Sequence, residues 1–426
     1  MTWILRSIHA LLFGLGLLAA PLLGQENSYL LKPTQVFDGT AVHDNWVVLT
    51  AGSTIGAVGK PEDIQIGEHV VTIDLPGLVL MPGMIEGHGH LFLYPYDQQP
   101  WNQQVLAESQ SLRVARATVH AKKTLLAGVT TFRDLGTEGA GYADVGLKQA
   151  IEQDVIPGPR LLIATKAIVA TGSYGPKGYA TDHKMPIGAE VADGRDELIR
   201  VVREQIGNGA DIIKVYADYR WGPQGEAQPT FTQEELDLIV SVANSSGRPV
   251  VAHAATEEGM LRAIMAGVQT IEHGDGGTEK VWRLMVEKEV AWCPTLAAAD
   301  AILQYRGWNK GIEPEPVRIS QKRKAFKQAL KQGVEILAGG DVGVYNHGEN
   351  VRELELMVDY GMESRDVIRA ITSGNAEILG LSHLLGSIKP GLLADLIAVP
   401  VGIFQNVSLL RTVSFIMKDG KIYKHP

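Results

Sequence analysis

The chemistry-bearing residues of this sequence sit at the ends of short apolar runs. Two histidines stand two apart in His88-Gly89-His90. Single histidines close Val250-Val251-Ala252-His253 and Thr270-Ile271-Glu272-His273, and an aspartate closes Leu337-Ala338-Gly339-Gly340-Asp341. Side chains alternate along a strand, so His88 and His90 face the same way and can reach one ion; Gly87 and Gly89 are expected to leave room for it. Imidazole and carboxylate are the donors that suit zinc and related divalent metals. A lone strand-end histidine is more often structural than ligating, but four histidines and an aspartate at equivalent strand ends fit that reading poorly. Lys214 lies inside Asp211-Ile212-Ile213-Lys214-Val215-Tyr216, an otherwise apolar run. A buried ammonium there costs free energy and repels cations. Two readings are open. The neutral amine can add carbon dioxide to give a carbamate, N6-carboxylysine, whose two oxygens could bridge two metal ions. Alternatively the ammonium pairs with a carboxylate such as Asp341. The surrounding histidines favour the carbamate.

These residues need elements to hold them. Apolar runs that end in small or polar residues occur at 80–90, 129–135, 161–165, 212–216, 250–253, 270–273, 291–294 and 335–341, with helical patterns between most of them. The clearest helix opens on Thr232-Gln233-Glu234-Glu235, a capping box, and continues with Leu236, Ile239, Val240 and Ala243 on one face. Eight strands alternating with helices predict an α/β fold, a (β/α)8 TIM barrel, with the active site at the C-terminal ends of its strands. A doubly wound sheet would want a glycine-rich phosphate loop opening a helix, whereas Gly83-Met84-Ile85-Glu86-Gly87 runs into histidines. The two ends of the chain are strand-like, and a small β-sandwich domain is expected from 25–80 and 383–426, flanking a barrel over 81–382. Hydrophobic residues at 45% and charged residues at 20% allow a large core and rule out wholesale disorder. The net charge of -9, with no basic run, argues against a nucleic-acid partner. The single cysteine, Cys293, excludes an intrachain disulfide or a thiolate zinc cluster and reads as a buried core thiol. Arg6, the apolar run Ala10 to Leu23 and the polar Gly24-Gln25-Glu26-Asn27 read as a secretory signal peptide over 1–24. The run is shorter than the ~20 residues of a membrane span. The expectation is an exported protein, periplasmic or secreted, with no stable membrane insertion once the signal is cleaved.

The set His88, His90, Lys214, His253, His273 and Asp341 resembles the amidohydrolase superfamily in its binuclear-metal, carboxylated-lysine form. The likeness extends through Leu80-Met81-Pro82-Gly83-Met84-Ile85-Glu86-Gly87-His88-Gly89-His90, Gly128-Val129-Thr130-Thr131-Phe132-Arg133-Asp134 and Gly386-Ser387-Ile388-Lys389-Pro390-Gly391-Leu392-Leu393-Ala394-Asp395-Leu396. Ile213-Lys214-Val215, Asn346-His347-Gly348 and Arg352-Glu353-Leu354 look most like its peptidase-like branch, which includes Xaa-Pro dipeptidases, carboxypeptidases and ochratoxin-type amide hydrolases. The resemblance implies two divalent ions, zinc being the expected one. His88, His90 and Asp341 would hold the more buried ion and His253 and His273 the other, with carboxylated Lys214 between them. Asp341 would act as general base and then general acid. The resemblance also implies a homo-oligomer, of which an octamer is one form.

The expected substrate is a small molecule or short peptide with a free C-terminal carboxylate. Arg220 is the candidate to bind that carboxylate, with Tyr219 beside it. His347 is a second candidate contact. Tyr174 stands where many relatives carry a histidine, in Thr171-Gly172-Ser173-Tyr174-Gly175, and could polarise the substrate carbonyl through its hydroxyl; Trp221 and Tyr179 are candidate pocket walls. The competing readings are a lactonase, an imidazolone-type hydrolase or a deaminase on the same site, and, from a different class, an exported metal- or solute-binding protein without turnover.

Overall fold

The computed structural model describes residues 28–180 and 182–426; the apolar leader over 1–24 lies outside the described residues. Strands from both ends of the chain form a single eight-stranded sheet. Ser28–Phe37 pairs antiparallel with Val47–Ala51 and parallel with Val70–Pro82; Leu396–Pro400 lies antiparallel on the other side of Val70–Pro82, followed by Phe415–Lys418 and Lys421–Lys424. The far edge strand, Thr54–Gly59, curls back toward the start of the C-terminal segment: Thr54 bridges Leu393, and Ile55 N–H donates to the Leu392 carbonyl at 2.8 Å. The sheet buries a core of its own that includes Leu31, Val36, Val48, Leu75, Leu396 and Phe415. The pairing joins all eight strands in one hydrogen-bonded network. The 13-residue strand Val70–Pro82 carries ladders on both edges and so keeps the network continuous.

Between these ends, strands and helices alternate. Met84–Gly89, Val129–Asp134 and Arg160–Ile163 run parallel in one sheet. Ile168–Val169, Ile213–Tyr216, Val250–Ala254, Thr270–His273 and Ala291–Cys293 run parallel in a second. Backbone bonds connect the two: Asp211 N–H donates to Ile163 O at 2.9 Å. The run 335–341 is held by isolated bridges (Trp292 to Ile336, Gly89 to Val342) rather than a regular ladder. It nevertheless touches elements on both sides, since Leu337 N–H donates to Trp292 O at 2.9 Å and Asp341 N–H to His88 O at 2.8 Å. Near-continuous burial along these strands matches a parallel sheet covered by helices.

The helix Gln233–Asn244 forms as the sequence predicts. Thr232 accepts from Glu235 N–H, Glu235 accepts from Thr232 N–H, and Leu236, Ile239, Val240 and Ala243 face inward. Such a cap is worth about 1 kcal/mol. Among the described residues, no helix is long and apolar enough to cross a membrane.

Candidate metal centre

His88, His253 and His273 come from three parallel strands, His90 from the residue after Met84–Gly89, and Asp341 from the irregular run just before the Val342 bridge. The His88 and His90 rings lie 5.4 Å apart, His88 and His273 5.1 Å, and His253 and His273 4.5 Å, centroid to centroid. Asp341 Oδ1 is 3.3 Å from His90 Nε2 and 3.7 Å from His88 Nε2. His273 and Asp341 take left-handed backbone, φ 71° and 62°. This conformation costs a non-glycine residue about 1–2 kcal/mol, and such outliers concentrate at functional sites.

The fixed ends of the rings show which nitrogens are free. His88 Nδ1 meets Glu272 Oε2 at 2.7 Å, His90 Nδ1 meets Gly136 O at 2.9 Å, and His273 Nδ1 meets Thr295 Oγ1 at 2.8 Å. Ligating histidines are oriented in this way by a partner on the far nitrogen. His253 Nδ1 and Asp341 Oδ1 are buried with no hydrogen-bond partner. Donor atoms of His88, His273 and Asp341 lie within 4.8 Å of one another. Lone pairs that are buried, convergent and unclaimed fit a divalent metal ion.

Lys214 is 1% exposed, on the strand beside His253. Among the described residues no carboxylate oxygen stands within 4.0 Å of its Nζ, so the ion pair with Asp341 is not formed. Burial pushes its amine below the usual lysine range, against the pull of Glu272. Burial and the Lys214 charge likewise hold His88 well below 6.5 and His253 at about 3. Neutral imidazoles are the ligating form. His90 differs: burial opposes its charge, but the Asp341 carboxylate, 3.3 Å from Nε2, raises it to about 9.

Behind the histidines lies a charged layer that the sequence reading did not single out. Arg133 NH2 donates to Glu272 Oε1 at 2.8 Å, both side chains being fully buried, and Arg133 NH1 donates to Thr270 Oγ1 at 3.1 Å. Each of the two charges has polar neighbours in its strand, Thr130, Thr131 and Asp134 around Arg133 and Thr270 and His273 around Glu272, so neither stands out as Lys214 does. The glycines between the ligands need correction. A Cβ on Gly89 would lie 2.3 Å from Phe132 Cζ, and one on Gly87 2.6 Å from Ala338 O. They allow strands and side chains to pack closely and leave no room for an ion.

A cavity of about 920 Å³ opens over these residues, lined by His90, His253, His273 and Asp341 and also by Tyr174, Tyr219 and Arg220. Arg220 is solvent-exposed and donates to Tyr219 Oη at 3.2 Å. Tyr174 Oη donates to Glu138 Oε2 at 2.6 Å, so its proton is engaged there rather than aimed at a substrate carbonyl. His347 is not brought to the cavity. It is buried, stacked on His120 at 4.1 Å, and its Nε2 meets Leu93 O at 3.0 Å. Trp221 and Tyr179 are exposed and do not line the cavity either. Cys293 is a buried free thiol, Sγ 3.5 Å from Gly339 O. Glu138, on the loop after Val129–Asp134, lines the cavity and was missed; nothing in its sequence neighbourhood marks it.

The profile of the amidohydrolase family matches residues 79–423, and the chain belongs to that family. It is 30% identical over 378 residues to ochratoxinase of Aspergillus niger, covering 82% of this chain and 76% of that protein. The crystal structure of that ochratoxinase superposes with a TM-score of 0.80 over 94% of this chain and 96% of its own. A Xaa-Pro dipeptidase with methionine bound in its active site is 32% identical, with a TM-score of 0.83 over 93% of this chain and all (100%) of that one. A prolidase complexed with N-methylphosphonate-L-proline is 25% identical, with a TM-score of 0.81 over 94% of this chain and 100% of that one. The protein is an amidohydrolase-type hydrolase of the peptidase-like branch.

Proposed function

We propose that this protein is a metal-dependent hydrolase that cleaves an amide or peptide bond next to a free C-terminal carboxylate. The observation that carries the reading is the unpaired, buried Lys214 amine among neutral imidazoles. It is the arrangement expected of a lysine that becomes a carbamate. His88, His90 and Asp341 would hold one divalent ion, His253 and His273 a second, and carboxylated Lys214 both; zinc suits this donor set. Bound there, the ions supply Lewis acidity and bring the pKa of water down to about 7. Asp341 accepts the proton of the attacking water and passes it to the leaving amine nitrogen as the C–N bond breaks. Arg220, which meets no carboxylate within 4.0 Å among the described residues, receives the substrate carboxylate. The relatives support this assignment: one bears the name Xaa-Pro dipeptidase, and another holds a phosphonate derivative of proline.

In the same reading the eight runs close into one (β/α)8 ring, with the curled terminal sheet as a second domain beside it. The chain is exported after loss of 1–24 and works as a homo-oligomer, an octamer being the form the branch suggests. The test is a dipeptide library with free and amidated C-termini, assayed on protein of measured metal content. Free-carboxylate peptides should be cleaved and their amides poorly. Arg220→Ala should raise KM for the free acids by about 10-fold or more, the worth of one charge-assisted contact, and leave the amides little changed. Equal effects on both classes would remove Arg220 from the role.

A further inference from the structure

Among the carboxylates that line the cavity apart from Asp341, Glu138 stands out. Asp275 is paired with Arg318 at 2.7 Å and with Lys322. Asp218 accepts the backbone N–H groups of Ala255 and Thr256 at the start of the helix Glu257–Ala266. Glu226 is exposed and accepts from Gln224 N–H. Glu138 is 4% exposed, and among the described residues no cation stands within 4.0 Å of its carboxylate. Only neutral donors reach it: Trp101 Nε1 at 2.8 Å, Tyr174 Oη at 2.6 Å and Tyr216 Oη at 3.5 Å. Its backbone is held left-handed, φ 49°, and Arg113 donates to its carbonyl at 2.8 Å rather than to its side chain.

Arg113 and His90 act on this carboxylate from beyond contact, but no cation touches it; a buried carboxylate lacking a contact partner is costly, and the cost falls when a cation arrives. The surroundings suit an ammonium. The Tyr174 ring lies 4.8 Å from both Tyr216 and Tyr219, and aromatic faces attract cations. The position suits a peptide. Arg220 bonds to Tyr219, Tyr219 packs on Tyr174, and Tyr174 bonds to Glu138. Two tyrosine rings therefore separate the Arg220 guanidinium from the Glu138 carboxylate on the wall of one cavity.

We infer that Glu138, with the rings of Tyr174, Tyr216 and Tyr219, is the subsite for a primary ammonium on the acyl side of the scissile bond, the free α-amine of a peptide. The inference rests on the reading that Arg220 takes the carboxylate at the opposite end. It makes the substrate class unblocked short peptides in preference to their N-acyl forms.

The test compares a dipeptide with its N-acetyl derivative on the full-length, metal-loaded enzyme. Wild type should favour the free amine by ~10- to 100-fold in kcat/KM, the worth of a charge-assisted hydrogen bond. The ratio should fall as pH rises through the amine pKa, about 8. Glu138→Gln should collapse the ratio toward one, chiefly through KM of the free-amine peptide. Tyr174→Phe, which keeps the charge, should retain it. A wild-type ratio of one, a pH-independent ratio, or equal losses on both peptides in Glu138→Gln would overturn the subsite and leave it a structural carboxylate. Calorimetric titration of both peptides into Asp341→Asn protein reads the same preference without turnover. If neither peptide is cleaved yet the free amine binds more tightly, the peptidase reading fails and the subsite stands; if titration shows no preference, the subsite fails.

Discussion

Replacing Lys214 with methionine should push the stability of the metal-free and metal-loaded protein in opposite directions. The amine is 1% exposed, and no carboxylate stands within 4.0 Å among the described residues. Burial and its charge hold the neighbouring His88, His253 and His273 in their neutral form, so none of them offers it a countercharge. Methionine keeps most of the volume and removes the polar head. In chelator, Lys214→Met should therefore stabilise the fold by about 1–3 kcal/mol, the cost of a buried polar group lacking a full partner. With metal present the comparison reverses. An ion held at 100 times its Kd adds about 2.7 kcal/mol to the folded state, and a variant that cannot form the carbamate forfeits that term for at least one ion. Urea unfolding in EDTA and at fixed free zinc, with metal content measured on the same samples, reads both signs. If Lys214→Met lowers stability in EDTA, the ammonium has a favourable role in the apo fold. If it keeps two ions per chain, the bridging carbamate is wrong.

What the sequence made legible follows from strand geometry. Residues two apart on a strand share a face, so His88 and His90 could be paired without a structure, and a charge at Lys214 inside an apolar run marks itself. Arg133 and Glu272 have polar strand neighbours and carry no such mark, and their pairing spans 139 residues in sequence; a one-dimensional pattern shows each charge but not its partner. Glu138 carried no signal. It lies on a loop in a left-handed conformation, and Trp101, Tyr174 and Tyr216 reach it from elsewhere in the chain. His347 misled in the opposite way. It follows Asp341 by six residues, but the loop turns it away, and it ends against His120 and the Leu93 carbonyl. Pairing of the chain ends was readable from their strand-like texture. Their register was not, because it depends on Val70–Pro82 serving two neighbours at once.

Two further outcomes follow. Asp341→Asn keeps an oxygen donor but loses the basic carboxylate, so turnover should fall by ~10²–10⁴-fold, the usual worth of a general acid-base group, while metal content stays close to wild type; near-normal turnover would remove Asp341 from proton transfer. The buried His120–His347 stack should set acid sensitivity. Burial lowers His120 to about 4, against its bond to Leu91 O and with Lys123 and Arg116 nearby, and lowers His347 as well. Between pH ~6.5, where an unfolded histidine takes its proton, and the folded value, the unfolded chain binds more protons. Stability is therefore full above that window and falls on acidification, by up to about 3 kcal/mol for His120. His120→Phe keeps a ring against His347 and removes one titration, so its unfolding free energy should vary less between pH 6.5 and 4 than that of wild type. An unchanged pH slope in urea melts would show that His120 is protonated within the fold and that the stack tolerates the charge.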